Sequence, residues 1–318
     1  MLTSDYTIIT VPSVYKRVSK LMGNRFEISV VSGNETWAME CIDGAIEEIR
    51  RIERLLTTFD ESSQTNIINR NAGIAAAQVD KEVYDLISRS KKISEITQGA
   101  FDISYGSIDK SLWNFDKAMT SLPDQETAKR LVRLINYKNI LLDENNCTVF
   151  LKEKGMRIGF GGIGKGYAAE MAKSFLKQKG VNSGIVNAAG DLTVWGYQPD
   201  GKPWTIGIAN PDAARQAFSL LEITDTAVAT SGNYEKFVVI DGKKYSHTID
   251  PKTGLPIRGI KSVTIICPNA EIADAMATPV MIMGVNVGLD LINQVNGIEG
   301  IIIDDNDMIY TSKNIHLK

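Results

Sequence analysis

The chain has 318 residues, with 35 Lys and Arg against 38 Asp and Glu, which gives a formal net charge of −3. This balance excludes proteins that bind nucleic acid through a basic surface. Apolar residues make up 43% of the chain and charged residues 23%, so collagen-like, low-complexity and wholly disordered classes are excluded as well.

The predicted helices are spread along the whole chain. Apolar residues over 36–56 recur at steps of three and four, with charged residues on the other face, which predicts a surface helix. A second helix is predicted to begin after Asp80, a good N-cap, and to stop at Gly99. Further helices are predicted after Pro123 and over 165–179, 270–283 and 285–295.

The predicted strands pair mostly as hairpins. Residues 140–142 and 148–151 flank a polar turn, and residues 237–240 and 243–247 flank Asp-Gly, a typical hairpin turn. Because hairpins outnumber strand-helix-strand units, we expect an α+β fold with largely antiparallel sheets. Single strands are also predicted over 184–187, 204–208, 262–267 and 300–303.

The N-terminus and the hydropathy pattern predict a chain without export or membrane signals. Residues 1–30 lack a basic segment followed by an apolar one and a cleavage site, so they do not read as a signal peptide. Acidic and amide residues interrupt the longest apolar runs before they reach about 18 residues, so no membrane span is predicted. We expect a cytoplasmic protein, or a cell-envelope protein if a leader has been removed.

The cysteines and histidines restrict the kinds of metal site that can form. Cys41, Cys147 and Cys267 lie far apart without a CxxC motif, which disfavours a zinc site or a disulfide framework. The chain has two histidines, His247 and His316, too few for a multi-histidine site. A bound metal would therefore need oxygen ligands, which indicates Mg²⁺ or a similar hard cation.

The string GFGGIGKG (159–166) contains a GxGxxG pattern and nearly matches a P-loop. A P-loop needs Ser or Thr after the Lys to hold Mg²⁺, and that position is Gly166. A dinucleotide-binding fold needs an acid about twenty residues further on, whereas the nearest candidate, Asp191, comes late. Two interpretations stay open: a loop whose backbone approaches a phosphate or a metal, and a tight turn before a helix.

Three other groups of residues stand out. Asp274 and Thr278 are i and i+4 on a predicted helix, so their oxygens could bind one Mg²⁺, although Thr278 could equally bond to its own helix backbone. His247 lies at the end of a predicted strand before a Pro-Gly turn, where a structural role is the simpler interpretation. The motif NAAGD (187–191) follows a strand, and its small residues permit either ligand binding or a buried turn.

Taken in order, these segments resemble the ApbE family, the FAD:protein FMN transferases. The resemblance covers about residues 20–312 and includes Met22-Gly23, TTF at 57–59, Ser62 and Asn69. It continues through these motifs: GAFDISYGSIDKSLWNF (99–115), GGIGKGYAAE, NAAGD, GKPWTIGI, AVATSGNYEKF, SHTIDPKTG and ADAMATPVMIMG. It implies an ApbE-like α+β fold of two interlocked lobes with the site between them, formed by residues 20–318 after a lead-in over 1–19.

The resemblance also implies a reaction and its residues: transfer of FMN from FAD to a Thr or Ser hydroxyl of an acceptor flavoprotein, with Mg²⁺ as cofactor and AMP as product. The implied metal ligands are the Asp274 carboxylate, the Thr278 hydroxyl and the Gly162 carbonyl. His247 is the candidate general base, since imidazole accepts protons near neutral pH. The implied FAD contacts are Met22, Phe59, Ala100, Phe101, Asp102, Lys165 and Ile249.

The sequence departs from the family at two places. Gly159 stands where the family usually has Asp, and residues 104–108 replace its TVGPL segment, so flavin affinity or acceptor choice is expected to differ. Two other functions use the same residues: an FAD pyrophosphatase, in which water replaces the acceptor hydroxyl, and a flavin-binding protein without turnover. The identity of the acceptor stays open, and so does a homodimer.

Overall fold

The structure, a computed structural model, describes residues 11–109, 121–209, 217–233 and 237–315. Parts of two motifs, at 110–115 and 234–236, lie outside the described residues, as does His316. The strands are β1 (Ser13–Leu21), β2 (Asn24–Ser32), β3 (Ala77–Gln78), β4 (Ile140–Asp143), β5 (Thr148–Leu151), β6 (Gly184–Ala188), β7 (Asp191–Trp195), β8 (Trp204–Ala209), β9 (Ala217–Ile223), β10 (Thr226–Gly232), β11 (Phe237–Ile240), β12 (Lys243–Ser246), β13 (Ile260–Cys267), β14 (Glu299–Asp304) and β15 (Ile309–Thr311).

Four sheets form from these strands. The largest has the order β1-β2-β6-β7-β10-β13-β14-β15, and the smaller ones are β3-β5-β4, β8-β9 and β11-β12. All neighbouring strands in them are antiparallel. The expected α+β fold with antiparallel sheets is confirmed. Strand β1 begins at Ser13, so the large sheet includes part of the segment 1–19.

Several helices begin at residues whose side chains cap them, whereas Asp80, at the N-cap position of the third helix, makes no such bond. Asn34, Asn269 and Asp124 each accept a hydrogen bond from a backbone N–H in the first turn, which satisfies donors that the helix itself leaves free. Gly284, with φ +82, ends the sixth helix. The helices are α1 (Glu35–Leu56), α2 (Gln64–Arg70), α3 (Lys81–Ile96), α4 (Gln125–Leu131), α5 (Gly164–Gln178), α6 (Ala270–Met283) and α7 (Val285–Gln294).

One continuous apolar core joins the large sheet to its helices. Helices α1, α5, α6 and α7 contact the strands of this sheet, and the core runs from Phe26 and Ile28 on β2 to Ile140 and Val149 on the three-stranded sheet. A second, smaller core lies under the β8-β9 hairpin, where Trp204 packs with residues of β7 and β10. Because one core spans both sheets, the helices that carry the candidate site have fixed positions relative to each other.

The helices predicted from the sequence are all present, but several strands were not predicted. The strands that the sequence did not predict are β1, β2, β3, β7, β9, β10 and β15. Strand β1 lies at the edge of the sheet and alternates exposed with half-buried residues, many of them charged, so its pattern lacks an apolar face. Strand β7 is buried along its whole length, and it lacks alternation because both of its faces are buried.

No helix in the described part of the chain is long and apolar enough to cross a membrane.

The burial of the cysteines predicts which thiol reacts first. All three are free: Cys41 and Cys267 are buried, and Cys147 is half-buried. Burial raises the pKa of the Cys41 thiol, and it raises the pKa of the Cys267 thiol to about 11. Since the thiolate is the reactive form, we expect a maleimide at pH 8 to label Cys147 well before the other two.

Peptide mass spectrometry of the labelled native protein checks this expectation. Protein unfolded in guanidinium serves as the control, in which all three cysteines should be labelled at similar rates. Rapid labelling of Cys41 or Cys267 in the native protein would contradict the core packing described above.

Candidate active site

A cleft of about 640 Å³ opens between the segments that carry most of the sequence-predicted site residues. Five stretches of chain form its walls: the exit of α1, the segment after α3, the loop before α5, the residues after β12, and the second half of α6. Its lining includes Phe59, Ala100, Phe101, Asp102, Gly162, His247, Ile249 and Thr278, all named from the sequence.

Phe59 is the most exposed large apolar side chain of the site. It lies directly after α1 and is 99% exposed, although it lines the cleft. Its position is held through the backbone, since its N–H donates to the Thr57 hydroxyl at 3.1 Å. A phenyl ring held in solvent gains no burial from the protein itself. It is therefore available to pack against the face of a planar ligand.

The carboxylate of Asp102 accepts hydrogen bonds from two backbone N–H groups and one hydroxyl of the protein itself. Its Oδ1 accepts from the N–H of Ser104 at 2.8 Å and from the Ser104 hydroxyl at 2.6 Å, and its Oδ2 accepts from the Tyr137 N–H at 2.7 Å. Burial raises the pKa of Asp102, while the hydrogen bonds from Ser104 and Tyr137 oppose this shift. The carboxylate thus shapes the segment 102–107 and fixes the cleft wall.

The glycine-rich loop is the turn that leads into α5 and also a wall of the cleft. The buried side chain of Asn69 fixes the backbone just before this loop. Its amide N–H donates to the Ile158 carbonyl at 3.0 Å, and its amide oxygen accepts from the Ile158 N–H at 2.7 Å. At Gly159 a Cβ would make only ordinary contact with Thr58, at 3.9 Å. The backbone at Gly159 therefore has room for a Cβ.

Gly166 explains why the loop departs from the P-loop pattern. A Cβ at this position would lie 2.1 Å from the Ala270 carbonyl oxygen and 2.7 Å from the Asp274 Cβ. The missing side chain lets α5 approach α6 closely, and the Gly166 N–H then donates to Asp274 Oδ2 at 2.9 Å. Gly166 therefore serves helix packing and orients a carboxylate that the family resemblance implies as a metal ligand.

We expect Gly166→Ala to destabilise the protein by about 1–3 kcal/mol, because overpacking forces backbone shifts in a filled core. Urea unfolding followed by circular dichroism measures this change. Gly161→Ala is the matched control in the same loop, since a Cβ there meets no atom within 4 Å. Equal stability of the two variants would show that α5 and α6 are not packed as described.

Two buried carboxylates face one lysine beside the cleft. Lys165 Nζ forms an ion pair with Asp191, and it lies 3.5 Å from Asp274 Oδ1. Burial lowers the pKa of Lys165, but the charges of Asp274 and Asp191 outweigh it, so the pKa lies above its ordinary value. Burial and the like charge of Asp274 raise the pKa of Asp191. With both acids ionised, the cluster carries one uncompensated negative charge, which favours a bound cation.

Thr278 lies one helical turn after Asp274 and faces the cleft. Its hydroxyl is 2.9 Å from the Ser231 hydroxyl of β10, so it pairs across to the sheet. Pro279, which also lines the cleft, stands inside α6 and cannot donate a backbone hydrogen bond. Asp274 and Thr278 thus share one face of α6, as the i,i+4 spacing predicts.

His247 directly follows β12 and is exposed at the cleft. The chain after it is fixed, because the Ile249 N–H donates to the Tyr105 hydroxyl at 3.3 Å. Tyr105 belongs to the segment that departs from the family pattern, and burial raises the pKa of its phenol. Tyr105 therefore forms the cleft wall beside the candidate base.

Three of the sequence-predicted residues lie beside the cleft lining rather than in it. Lys165 and Asp274 form the charged cluster behind it, and the Met22 side chain packs near Gly164 at the start of α5.

Sequence reasoning did not assign a role to Arg157, which lines the cleft as an exposed cation. An isolated arginine outside a recognisable pattern gives no signal in a single sequence.

Asp191 is the other residue whose role was missed. It begins β7 after a two-residue turn in which Ala189 and Gly190 both have positive φ, +58 and +104. Such a turn is typical of tight hairpins, and it places Asp191 against Lys165. The NAAGD motif is thus a hairpin turn that delivers a buried acid to the site.

The chain is similar over most of its length to proteins of one family. The sequence profile of the ApbE family matches residues 22–302. A Klebsiella pneumoniae protein named FAD:protein FMN transferase is 32% identical over 302 residues, which cover 94% of this chain and 92% of that protein. A Treponema pallidum protein of the same name is 28% identical and covers 95% of this chain and 87% of its own.

Solved structures give the same result. The ApbE protein of Thermotoga maritima matches with a TM-score of 0.84 and 31% identity, covering 95% of this chain and 97% of its own. The apo flavinyl transferase ApbE of Pseudomonas stutzeri matches with a TM-score of 0.81 and 25% identity, covering 95% of each chain.

Proposed function

This chain belongs to the ApbE family, and we propose that it is an enzyme that transfers FMN from FAD to a Thr or Ser hydroxyl of an acceptor flavoprotein, with Mg²⁺ as cofactor and AMP as product. The names of its relatives, FAD:protein FMN transferase and flavinyl transferase, support this activity.

The single observation that carries the proposal is the cleft with its exposed aromatic ring. Phe59 stands 99% exposed at a cleft of about 640 Å³, where a flavin ring would cover it. The opposite walls supply Ala100, Phe101 and Ile249 as apolar surface. Met22 and Asp102 would complete the FAD contacts, Asp102 through its backbone because its carboxylate is already bonded.

The oxygens beside the cleft suit Mg²⁺. Asp274, Thr278 and the Gly162 carbonyl would hold the ion, since Mg²⁺ takes oxygen ligands and is often bound by one or two carboxylates together with substrate phosphates. When bound, the ion would neutralise charge on the pyrophosphate.

The chain's own residues would perform the remaining steps. Lys165 would place a cation near the pyrophosphate. His247 would take the proton of the acceptor hydroxyl, whose oxygen forms a bond to the FMN phosphorus while the bond from that phosphorus to the AMP oxygen breaks. The acceptor gains a phosphodiester-linked FMN, and AMP leaves with the electron pair of the broken bond.

One experiment distinguishes this function from its alternatives. The purified protein is mixed with FAD, Mg²⁺ and a flavoprotein domain that carries a threonine acceptor, and acceptor mass and nucleotide products are read together. We expect the acceptor to gain the mass of one FMN less one water while AMP forms in equal amount. Free FMN and AMP would instead identify a pyrophosphatase, and bound but intact FAD would identify a flavin-binding protein.

A further inference from the structure

A second cavity lies behind the wall that Asp102 forms. Its volume is about 620 Å³, and four cationic side chains surround it: Lys129, Arg133, Lys138 and Lys252. We call this cavity the basic groove. All four residues are exposed, and none of them forms an ion pair with a described residue. The whole chain has a net charge of −3, so the groove is a local patch of the opposite sign.

The acids in the groove do not cancel these charges. Glu95 lies at the groove and is exposed, while the Asp102 carboxylate at its floor accepts three hydrogen bonds from Ser104 and Tyr137. Four cations against two acids leave an excess of two positive charges when all are ionised. Such a patch attracts an anionic partner.

A rigid turn joins the basic groove to the cleft. Ile249 lines the cleft, and Lys252, three residues later, lines the groove. Gly254 closes the turn with φ +71, and its N–H donates to the Asp250 carbonyl at 2.8 Å. A Cβ at Gly254 would lie 2.1 Å from the Ala128 carbonyl of α4. The turn is therefore packed against the helix that carries Lys129.

This turn also limits the distance from the groove to the candidate base. His247 and Lys252 are five residues apart, and a chain of that length spans at most about 18 Å. When the acceptor hydroxyl lies at His247, acceptor residues only a few positions before or after the hydroxyl-bearing residue can therefore reach the groove. A transferase needs a surface for its protein substrate, and the groove is a charged surface at that place.

We infer that the basic groove binds an acidic segment of the acceptor protein, close in sequence to the hydroxyl that receives FMN. This inference rests on the proposed transferase function. The form of the groove favours a protein segment over a phosphate. Its four cations are exposed and lie at separate positions, an arrangement that attracts the charged surface of a protein partner. A phosphate is instead held by several donors that converge on one point.

The test uses Lys129→Glu/Arg133→Glu and a flavoprotein domain that has acidic residues within five positions of its acceptor threonine. We expect kcat/KM for this acceptor to fall about tenfold at low salt, with unchanged affinity for FAD. We also expect the wild-type rate to fall as salt rises and the variant to lose this dependence. Lys177→Glu/Lys313→Glu, at exposed positions away from the groove, is the matched control and should behave as wild type.

A second comparison leaves the enzyme unchanged. When the flanking acids of the acceptor domain are replaced by amides, kcat/KM with the wild-type enzyme should fall by the same factor of about ten. With the Lys129→Glu/Arg133→Glu variant, the same replacement should cause no additional fall in kcat/KM. An unchanged kcat/KM for the acceptor in the Lys129→Glu/Arg133→Glu variant would overturn the inference. A weaker affinity of this variant for FAD would also overturn it, because the groove would then bind FAD. Absence of transfer by the wild type to any acceptor would overturn the proposed function, and the inference with it.

Discussion

We expect Asp274→Asn to reduce Mg²⁺-dependent FMN transfer about a hundredfold or more, a loss typical of removing one electrostatic group from a phosphoryl-transfer site. Asn keeps an oxygen that can accept from the Gly166 N–H, a bond of 2.9 Å in the structure, so the contact between α5 and α6 is retained. What it removes is the negative charge. The loss should therefore appear in catalysis and Mg²⁺ affinity rather than in folding.

The measurement is initial rate against Mg²⁺ concentration, together with thermal unfolding of each protein. Asp290→Asn on α7, an exposed acid, is the matched control and should keep the wild-type rate. Asp274→Ala should lose activity to the same degree and, in addition, some stability, because it leaves the Gly166 N–H without its partner. Full Mg²⁺-dependent activity in Asp274→Ala would remove this residue from the metal site.

The sequence could predict the elements whose signals are local. Helix α6 has the predicted bounds, 270–283, because Asn269 caps its start and Gly284 ends it with positive φ. The hairpin of β4 and β5 follows from the polar turn between them. The edge strand β1 escaped prediction because each of its faces mixes charged with apolar residues, so the sequence shows no apolar face.

The arrangement of the site could not be predicted from local pattern. Lys165 meets Asp191, 26 residues later, and Asp274, 109 residues later. Only the packing of α5 against α6 and the register of the sheet bring these three together. Resemblance to a family could nominate Lys165 and Asp274, but the buried ion pair with Asp191 required the three-dimensional contacts.

The basic groove is a second example of a feature without a local signal. Lys129 lies on α4 and Lys252 on a turn more than a hundred positions later, and each is an ordinary exposed lysine in the sequence. Their common location depends on the tight packing of Gly254 against Ala128. A glycine required by packing is thus what places two distant cations at the same cavity.

We expect His247→Ala to lower kcat for FMN transfer by about 10²–10⁴, the range that a positioned general base contributes. FAD binding should remain close to that of the wild type, because the cleft keeps Phe59 and its apolar walls. The side chain is exposed, and replacement of exposed residues usually changes stability by less than about 0.5 kcal/mol. The measurement is a single-turnover rate at saturating FAD, with FAD affinity determined separately by titration.

Chemical rescue separates a base from a merely structural histidine. If His247 accepts the proton of the acceptor hydroxyl, imidazole added to His247→Ala should restore part of the rate, and the restoration should grow with the fraction of neutral imidazole as pH rises. His247→Gln, which retains a polar side chain but cannot act as a base at neutral pH, is the matched control and should be as slow as the alanine variant. Transfer at the wild-type rate in either variant would exclude His247 as the base, and the proton would then have to leave through water or the phosphate.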